Sequence, residues 1–235
     1  MDCKYKKLIF YYLISKVLIF EYKEKMEIKF LNYLFNYVVI TSKLFNIDES
    51  HSLKHSMDVY HYSERILDME LKEYPHLKNH KNIIFSAAIL HDMCDKKYVN
   101  EKIGIDNIIN YMNNKMDDNE LYVMLEIIST MSYSTVKKSG FPSLGIYDMS
   151  YHIVREADLL ASYDFDRCII YQMLKNNDDY EKSFYNAKEL FEKRVFKYND
   201  DNLFKTKYAR NISPILHIEA VNKINSLSKI FCKII

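Results

Sequence analysis

The sequence predicts an all-α protein, and three observations lead to this fold class. The 235 residues include only 3 Gly and 3 Pro, too few for the many turns of a β-sandwich or β-barrel. Apolar residues recur at intervals of three and four over long stretches, which is the period of a helix with one buried face. At 49% hydrophobic residues, the chain can bury one core, so we expect a single helical bundle with additional N-terminal and C-terminal helices.

Residues 1–25 are predicted to form an N-terminal helix or extension ahead of a domain that covers residues 26–235. The mostly apolar run Leu8–Phe20 follows three lysines, as in a signal sequence. It falls short of the roughly 20 residues that a membrane span needs, and no small-residue cleavage site follows it. We therefore favour an amphipathic helix, with a membrane-surface helix and a poorly ordered tail as alternatives.

Two predicted helices carry histidines toward the interior. A helix from about Ser52 to Lys72 places His55 on one face with four apolar residues that follow it at helical spacing, Val59, Tyr62, Ile66 and Met69. The helix Asn82–Met93 is apolar on nearly every side, so we expect it at the centre of the bundle. Its C-terminal end then delivers His91 and Asp92 into the interior.

The remaining elements follow from the same periodicity. Asp158 lies on a helix that begins near Ser150, where Val154 and Ala161 share its buried face. The stretch Ser132–Ile146 holds two of the three glycines and one proline, so it is interpreted as a loop. Further helices are expected over residues 28–45, 103–113, 120–131, 167–175, 179–198 and 214–231.

The charge distribution does not indicate a nucleic-acid partner. The 33 basic residues are scattered among 32 acidic ones, so no groove for a phosphate backbone is evident. No transmembrane span is predicted, and the sequence gives no indication of the oligomeric state. The 4 cysteines are far apart and form no CxxC pair, which favours a reducing, cytoplasmic location. Abundant Asn, Lys, Ile and Tyr without Trp is typical of AT-rich genomes, including some large viruses, for which the location would be the host cytoplasm.

Four polar side chains lie in these apolar, helix-periodic stretches and are predicted to face the interior, namely His55, His91, Asp92 and Asp158. Buried polar groups need partners. Two neutral imidazoles and two carboxylates suit a divalent metal and leave coordination positions open for water and substrate. The sequence therefore predicts a metallohydrolase.

The segments around these residues resemble the motifs of the HD-domain metal-dependent phosphohydrolase superfamily, in which a His, a His-Asp pair and a distant Asp follow one another on an all-helical scaffold. The likeness extends over residues 48–59 (DESHSLKHSMDV), 87–98 (AAILHDMCDKKY) and 153–160 (IVREADLL). Residues 127–134 are also similar to a segment of the branch that includes bacterial nucleotide pyrophosphohydrolases. The resemblance spans about residues 27–175, with a motif core at about 48–167, and implies an HD-type helical bundle.

The resemblance implies a metal site made of His55, His91, Asp92 and Asp158. We expect one divalent ion, Mn²⁺, Fe²⁺, Co²⁺, Ni²⁺ or Mg²⁺, because no further histidine pair lies between Asp92 and Asp158 to hold a second one. In such a site, activated water attacks phosphorus while the ion neutralises the developing charge.

The resemblance also implies roles for residues near the metal ligands. Asp92, Asp95 and Lys97 are the expected catalytic residues, with Asp95 orienting the attacking water or a histidine; its alternative role is to cap the turn. Lys96, Lys97 and Arg167 are expected to bind substrate phosphates; the alternatives are a solvated lysine pair and a structural ion pair of Arg167. We expect His51, one helical turn before His55, to cap or support the site and not to be a fifth ligand.

The function expected from this resemblance is hydrolysis of a phosphoester or phosphoanhydride bond in a small phosphorylated substrate, most readily a nucleotide. The release of phosphate or of pyrophosphate is left open. The alternative is a catalytically weak HD module that binds a nucleotide or a protein partner. A third interpretation, an HD-type oxygenase, would need a second iron site and ligands that we do not find in the sequence.

Overall fold

The structure is a computed structural model that describes residues 27–231. Within these residues it contains ten α-helices and no β-strand, which confirms the all-α prediction. The helices are α1 (residues 27–45), α2 (Leu53–Glu70), α3 (Lys81–Leu90), α4 (Glu101–Met112), α5 (Asp118–Thr130), α6 (Tyr133–Ser139), α7 (Asp148–Ala161), α8 (Phe165–Asn176), α9 (Tyr180–Lys193) and α10 (Lys207–Phe231). The predicted extension of residues 1–25 lies outside the described residues, and the division into domains stays a prediction.

Helix α3 lies at the centre of the bundle. All eight of its residues from Ile83 to Leu90 are buried, because only Ser86 among them is polar. Helices α2, α5 and α7 pack against it, and α2 and α7 also pack against each other. None of the helices within residues 27–231 combines the length and the apolar character that crossing a bilayer requires.

Helix α2 buries the face predicted for it, except at its end. Val59 and Ile66 have no exposed surface, whereas Met69 is 36% exposed, so its predicted inward position is wrong. Leu67 and Glu70 are buried there in its place. A carboxylate oxygen of Glu70 accepts the backbone N–H of Lys207, which fixes which face of the last turn points inward.

The segment Ser132–Ile146 is not entirely a loop as predicted, because it contains α6. The hydroxyl of Ser132 accepts the backbone N–H of Thr135 at 3.2 Å and caps this helix, while Val136 is buried. Gly140 ends the helix with a φ of 75°, a conformation that glycine adopts without strain. Residues 141–144 are irregular as predicted, and a 3₁₀ turn over Gly145–Tyr147 follows.

Two boundaries in the C-terminal third differ from the prediction. Helix α9 ends at Lys193, before the predicted Tyr198, and a 3₁₀ turn over Val195–Lys197 follows. Helix α10 begins at Lys207 and contains Pro214 in its interior, whereas the sequence predicts a start at Pro214. Thr206 marks the actual start, because its hydroxyl accepts the backbone N–H of Ala209 at 3.3 Å.

Candidate metal centre

The four predicted metal ligands come together where α2, α3 and α7 meet. Nε2 of His55 lies 3.2 Å from Nε2 of His91, 3.4 Å from Oδ2 of Asp92 and 3.3 Å from Oδ1 of Asp158. Nε2 of His91 lies 3.4 Å from Oδ2 of Asp92 and 3.8 Å from Oδ1 of Asp158. One ligand atom from each of His55, His91 and Asp158 lies within 4.8 Å of the others.

Three separate segments supply these side chains. His55 lies in the first turn of α2, and Asp158 lies near the end of α7. His91 and Asp92 begin the 3₁₀ turn His91–Cys94, which follows α3 directly. The predicted helix Asn82–Met93 therefore tightens at Leu90, and the two consecutive residues after it both contact His55.

The imidazole of His91 is held in the orientation that a metal ligand needs. Its Nδ1 donates a hydrogen bond to the carbonyl oxygen of Ala88 at 2.9 Å, so Nε2 faces the cluster. Oδ2 of Asp92 and Nδ1 of His55 are buried and have no hydrogen-bond partner within the described part of the chain. A buried carboxylate oxygen that faces two imidazole nitrogens is a group that a cation would satisfy. The donor set therefore fits a divalent metal.

The electrostatics of the cluster also suit a cation. Burial opposes ionisation of Asp92 and Asp158, but the neighbouring histidines hold the pKa of both carboxyl groups below its ordinary value. Burial, with a contribution from Arg167, lowers the pKa of His55 to about 4. Burial opposes protonation of His91 as well, but Asp92 and Asp158 outweigh it and raise the pKa to about 9. Both carboxylates are thus ionised at neutral pH.

A cleft of about 510 Å³ opens over the four side chains. This volume falls in the range of binding sites for small-molecule ligands. The predicted substrate-contacting and catalytic residues Asp95, Lys96, Lys97 and Arg167 all line the cleft.

Lys97 and Asp95 form a hydrogen bond and an ion pair with each other. The backbone N–H of Lys97 donates to Oδ1 of Asp95 at 2.9 Å, and Nζ of Lys97 lies 3.1 Å from Oδ2. Nζ also donates to Nε2 of His51 at 3.3 Å. Asp95 makes no hydrogen bond to His55 or His91 within residues 27–231, so in this structure it caps the turn. Lys96 is exposed at the rim of the cleft.

His51 belongs to a hydrogen-bonded group beside the metal ligands. Its Nδ1 lies 2.7 Å from Oγ of Ser50, 2.9 Å from the hydroxyl of Tyr98 and 3.4 Å from Oδ1 of Asp48. Burial opposes ionisation of Asp48, but hydrogen bonds from His51, Ser50 and Tyr98 hold its pKa below the ordinary value. The ring centroids of His51 and His55 are 6.4 Å apart, so His51 supports the wall of the cleft.

Two arginines enter the cleft from the C-terminal helices. Nη1 of Arg167 donates to the carbonyl oxygen of Ser50 at 3.0 Å. Arg194 was not predicted; its Nε donates to the hydroxyl of Tyr198 at 3.2 Å, and its guanidinium lies 4.7 Å from the ring centroid of Tyr133. Nothing in the sequence marks Arg194, because its contact with the cleft depends on α9 ending at Lys193, immediately before it.

No protein-family model and no curated protein matches this sequence. The fold is similar to that of a Lactobacillus plantarum protein whose crystal structure was determined as a structural genomics target. The two share a TM-score of 0.64 and 16% identity, over 87% of this chain and 98% of the other. At this identity, the similarity shows the fold alone.

Proposed function

We propose that the protein is a metal-dependent phosphohydrolase that cleaves a phosphoester or phosphoanhydride bond of a small phosphorylated substrate, with a nucleotide as the first candidate. The convergence of His55, His91, Asp92 and Asp158 supports this proposal most strongly. Their order along the chain resembles the HD signature, and the bundle is all-α, as that superfamily requires. The spacing of the cysteines adds support for a cytoplasmic location, which would be that of a host if the chain is viral.

The roles of the residues follow from their positions. The two imidazoles and two carboxylates would hold one divalent cation, for which Mn²⁺, Fe²⁺, Co²⁺, Ni²⁺ and Mg²⁺ are the candidates. When bound, this cation would polarise a phosphoryl oxygen and activate water. Lys97, on the turn that follows His91–Cys94, would bring a positive charge to the reacting phosphoryl group, with Lys96 nearer the rim. Arg167 would contact the substrate from α8.

One observation favours the alternative, a module that binds a nucleotide or a protein partner without turnover. Both carboxylate oxygens of Asp95 are engaged by Lys97, so the group expected to orient the attacking water is occupied in this structure. An enzyme would need the Asp95 side chain to leave Lys97 when substrate phosphate takes that cation. A binding module would have no such need.

The two functions are separated by screening nucleotides with Mn²⁺ or Mg²⁺ and measuring the release of phosphate and of pyrophosphate. We expect metal-dependent release that Asp92→Ala and His55→Ala abolish. The controls are Asp68→Ala and His61→Ala, which change exposed residues of α2, the helix that carries His55, and should leave the rate unchanged. Turnover that survives Asp92→Ala would contradict the proposed catalytic site. Tight nucleotide binding without release of phosphate or pyrophosphate would favour the alternative, a binding module without turnover.

A further inference from the structure

Arg167 and Arg194 line the cleft without a carboxylate partner. Both side chains are half-buried, and neither forms an ion pair within residues 27–231. Their side chains donate to the carbonyl oxygen of Ser50 and to the hydroxyl of Tyr198, respectively. Removing a cation from water without an anionic partner is unfavourable, so this pair is suited to a negatively charged ligand.

Each guanidinium has most of its hydrogen-bonding capacity left. A guanidinium carries five N–H donors, and each of these arginines uses one of them in the contacts with Ser50 and Tyr198. The planar arrangement of the remaining donors matches two oxygens of one phosphoryl group, which a lysine ammonium cannot match. The pair therefore fits a phosphoryl group, which is the group that the proposed function brings into this cleft.

Both arginines line the same cleft as Cys168 of α8. Burial raises the pKa of the Cys168 thiol to about 11, and the positive charges of Arg167 and Arg194 both oppose this rise. Both positive charges therefore act on one thiol, although the two arginines come from different elements. Cys168 itself lines the cleft.

The pair lines the cleft that opens over the four predicted metal ligands. Burial lowers the pKa of His55, and the charge of Arg167 lowers it further. Burial opposes protonation of Arg194, but Tyr198 and Asp158 outweigh it and raise its pKa. Each guanidinium thus interacts electrostatically with one of the four metal ligands. One ligand in this cleft could therefore contact both the metal site and the arginines.

We propose that Arg167 and Arg194 bind a second phosphoryl group next to the one held at the metal site. The substrate would then carry at least two linked phosphoryl groups and would not be a phosphomonoester. Lys97 already supplies a cation beside the metal ligands, whereas the arginines approach from α8 and from the end of α9. This inference rests on the proposed function and names its substrate class.

The test compares the affinities of the full chain for inorganic pyrophosphate and for inorganic phosphate by calorimetry, with EDTA present. We expect the wild type to prefer pyrophosphate, and Arg194→Gln and Arg167→Gln each to weaken pyrophosphate binding about tenfold or more, because a charge-assisted hydrogen bond is lost. Phosphate binding should change much less. Arg210→Gln, which alters an exposed arginine outside the cleft, is the control.

Arg194→Lys keeps the charge and removes the planar donors, so it should also reduce the preference while its thermal unfolding matches the wild type. Equal affinities of the wild type for the two anions would overturn the proposal, as would a preference that all of the cleft variants retain. A separate Mn²⁺ titration without EDTA tests the metal site alone. Mn²⁺ binding with no pyrophosphate preference would overturn this inference and leave the proposed function standing.

The source of the diphosphate is assigned by adding ADP to the same titrations. Arginine-dependent binding of ADP that is tighter than that of pyrophosphate supports the pair as a site for nucleoside diphosphates. Arginine-dependent binding of equal strength supports it as a site that recognises the diphosphate alone.

Discussion

The hydrogen bond of His91 orients one side chain of the proposed metal site. The hydrogen bond from its Nδ1 to Ala88 turns its Nε2 toward His55, Asp92 and Asp158. Without that bond the ring could present either nitrogen, and the ligand set would be less ordered before metal binds. The local conformation at the end of α3 therefore contributes directly to the chemistry proposed for the site.

Lys97 should matter for turnover and hardly for stability. Its ion pair with Asp95 is partly exposed to solvent, so Lys97→Met should change the free energy of unfolding by less than about 1 kcal/mol. If Lys97 contacts the reacting phosphoryl group, the same change should lower kcat/KM by about tenfold to a hundredfold. Denaturant unfolding and steady-state kinetics measure the two effects, with the exposed Lys102→Met as control. An unchanged kcat/KM would contradict a contact between Lys97 and the reacting phosphoryl group.

His152 should make stability depend on pH. Burial and the charges of Arg155 and Lys205 lower its pKa to about 4, against a smaller opposite effect of Asp148. Glu156 lies 3.6 Å away but accepts a hydrogen bond from Arg155, so it does not favour a proton on His152. The unfolded chain, with a histidine pKa near 6.5, therefore binds more protons than the folded chain between about pH 6.5 and 4.

The free energy of unfolding should consequently fall as the pH is lowered through this window, by up to about 3 kcal/mol from His152. Denaturant unfolding at pH 7 and at pH 4.5 measures the loss, and His152→Gln should lose less than the wild type. Equal losses in the two proteins would show that His152 does not titrate in this way.

At the residue scale, the sequence predicted that His55, His91, Asp92 and Asp158 face the interior and come together, because each stands in an apolar, helix-periodic stretch. The engagement of Asp95 by Lys97 was not predictable as the dominant contact, because it depends on the conformation of one turn. Arg194 was missed for a similar reason. It reaches the cleft only because a helix stops one residue earlier.

The turn after α3 is positioned by close packing against α4. A Cβ atom at Gly104 would lie 2.7 Å from both Cα and Cβ of Cys94, so only glycine fits where α4 crosses this turn. Cys94 is the last residue of the 3₁₀ turn that carries His91 and Asp92. Because Gly104 has no side chain, the turn that carries His91 and Asp92 can pack directly against α4.

Gly104→Ala should therefore destabilise the protein, although alanine is the better helix former. The gain in helix propensity is about 1 kcal/mol, whereas overpacking against backbone atoms costs about 1–3 kcal/mol or more. We expect a lower free energy of unfolding and weaker Mn²⁺ binding, because the turn must move. Asn110→Ala, at an exposed position of α4, is the control. A stabilised variant with unchanged Mn²⁺ affinity would contradict this explanation.

At the element scale, apolar periodicity predicted the long helices and failed at short ones and at helix ends. Helix α6 is only seven residues long and depends on its Ser132 cap, which the glycines and proline nearby obscured. The start of α10 depends on Thr206, whereas Pro214 offered a stronger but misleading signal. Caps decide such boundaries, and their hydrogen bonds depend on the surrounding chain.

Across the whole molecule, a buried ion pair ties α7 to the segment before α10. Arg155 is 1% exposed; its Nη2 donates to Glu156 at 2.9 Å and also to the carbonyl oxygen of Leu203. Glu156 accepts the backbone N–H of Lys205 at 2.8 Å and both the N–H and the hydroxyl of Thr206, at 2.9 and 2.8 Å. Arg155 and Glu156 stand beside Asp158 in the sequence, but their distant partners could not be read from it.

Glu156→Gln should cost about 3–5 kcal/mol of unfolding free energy, because it leaves the Arg155 charge buried without its partner. Adding Arg155→Met to this variant should cost less than the sum of the two single changes, since the charge is then removed as well. Denaturant unfolding of the three variants measures this coupling. Strictly additive losses would show that the two side chains stabilise the fold independently.

The central claim is that His55, His91, Asp92 and Asp158 bind one divalent metal ion. Crystals grown with Mn²⁺ and measured for anomalous scattering test it most directly. We predict a single strong peak near Nε2 of both histidines and the carboxylate oxygens of both aspartates, at distances of about 2.0–2.3 Å. No peak among these four side chains at saturating Mn²⁺, or a peak bound only by other residues, would contradict the claim.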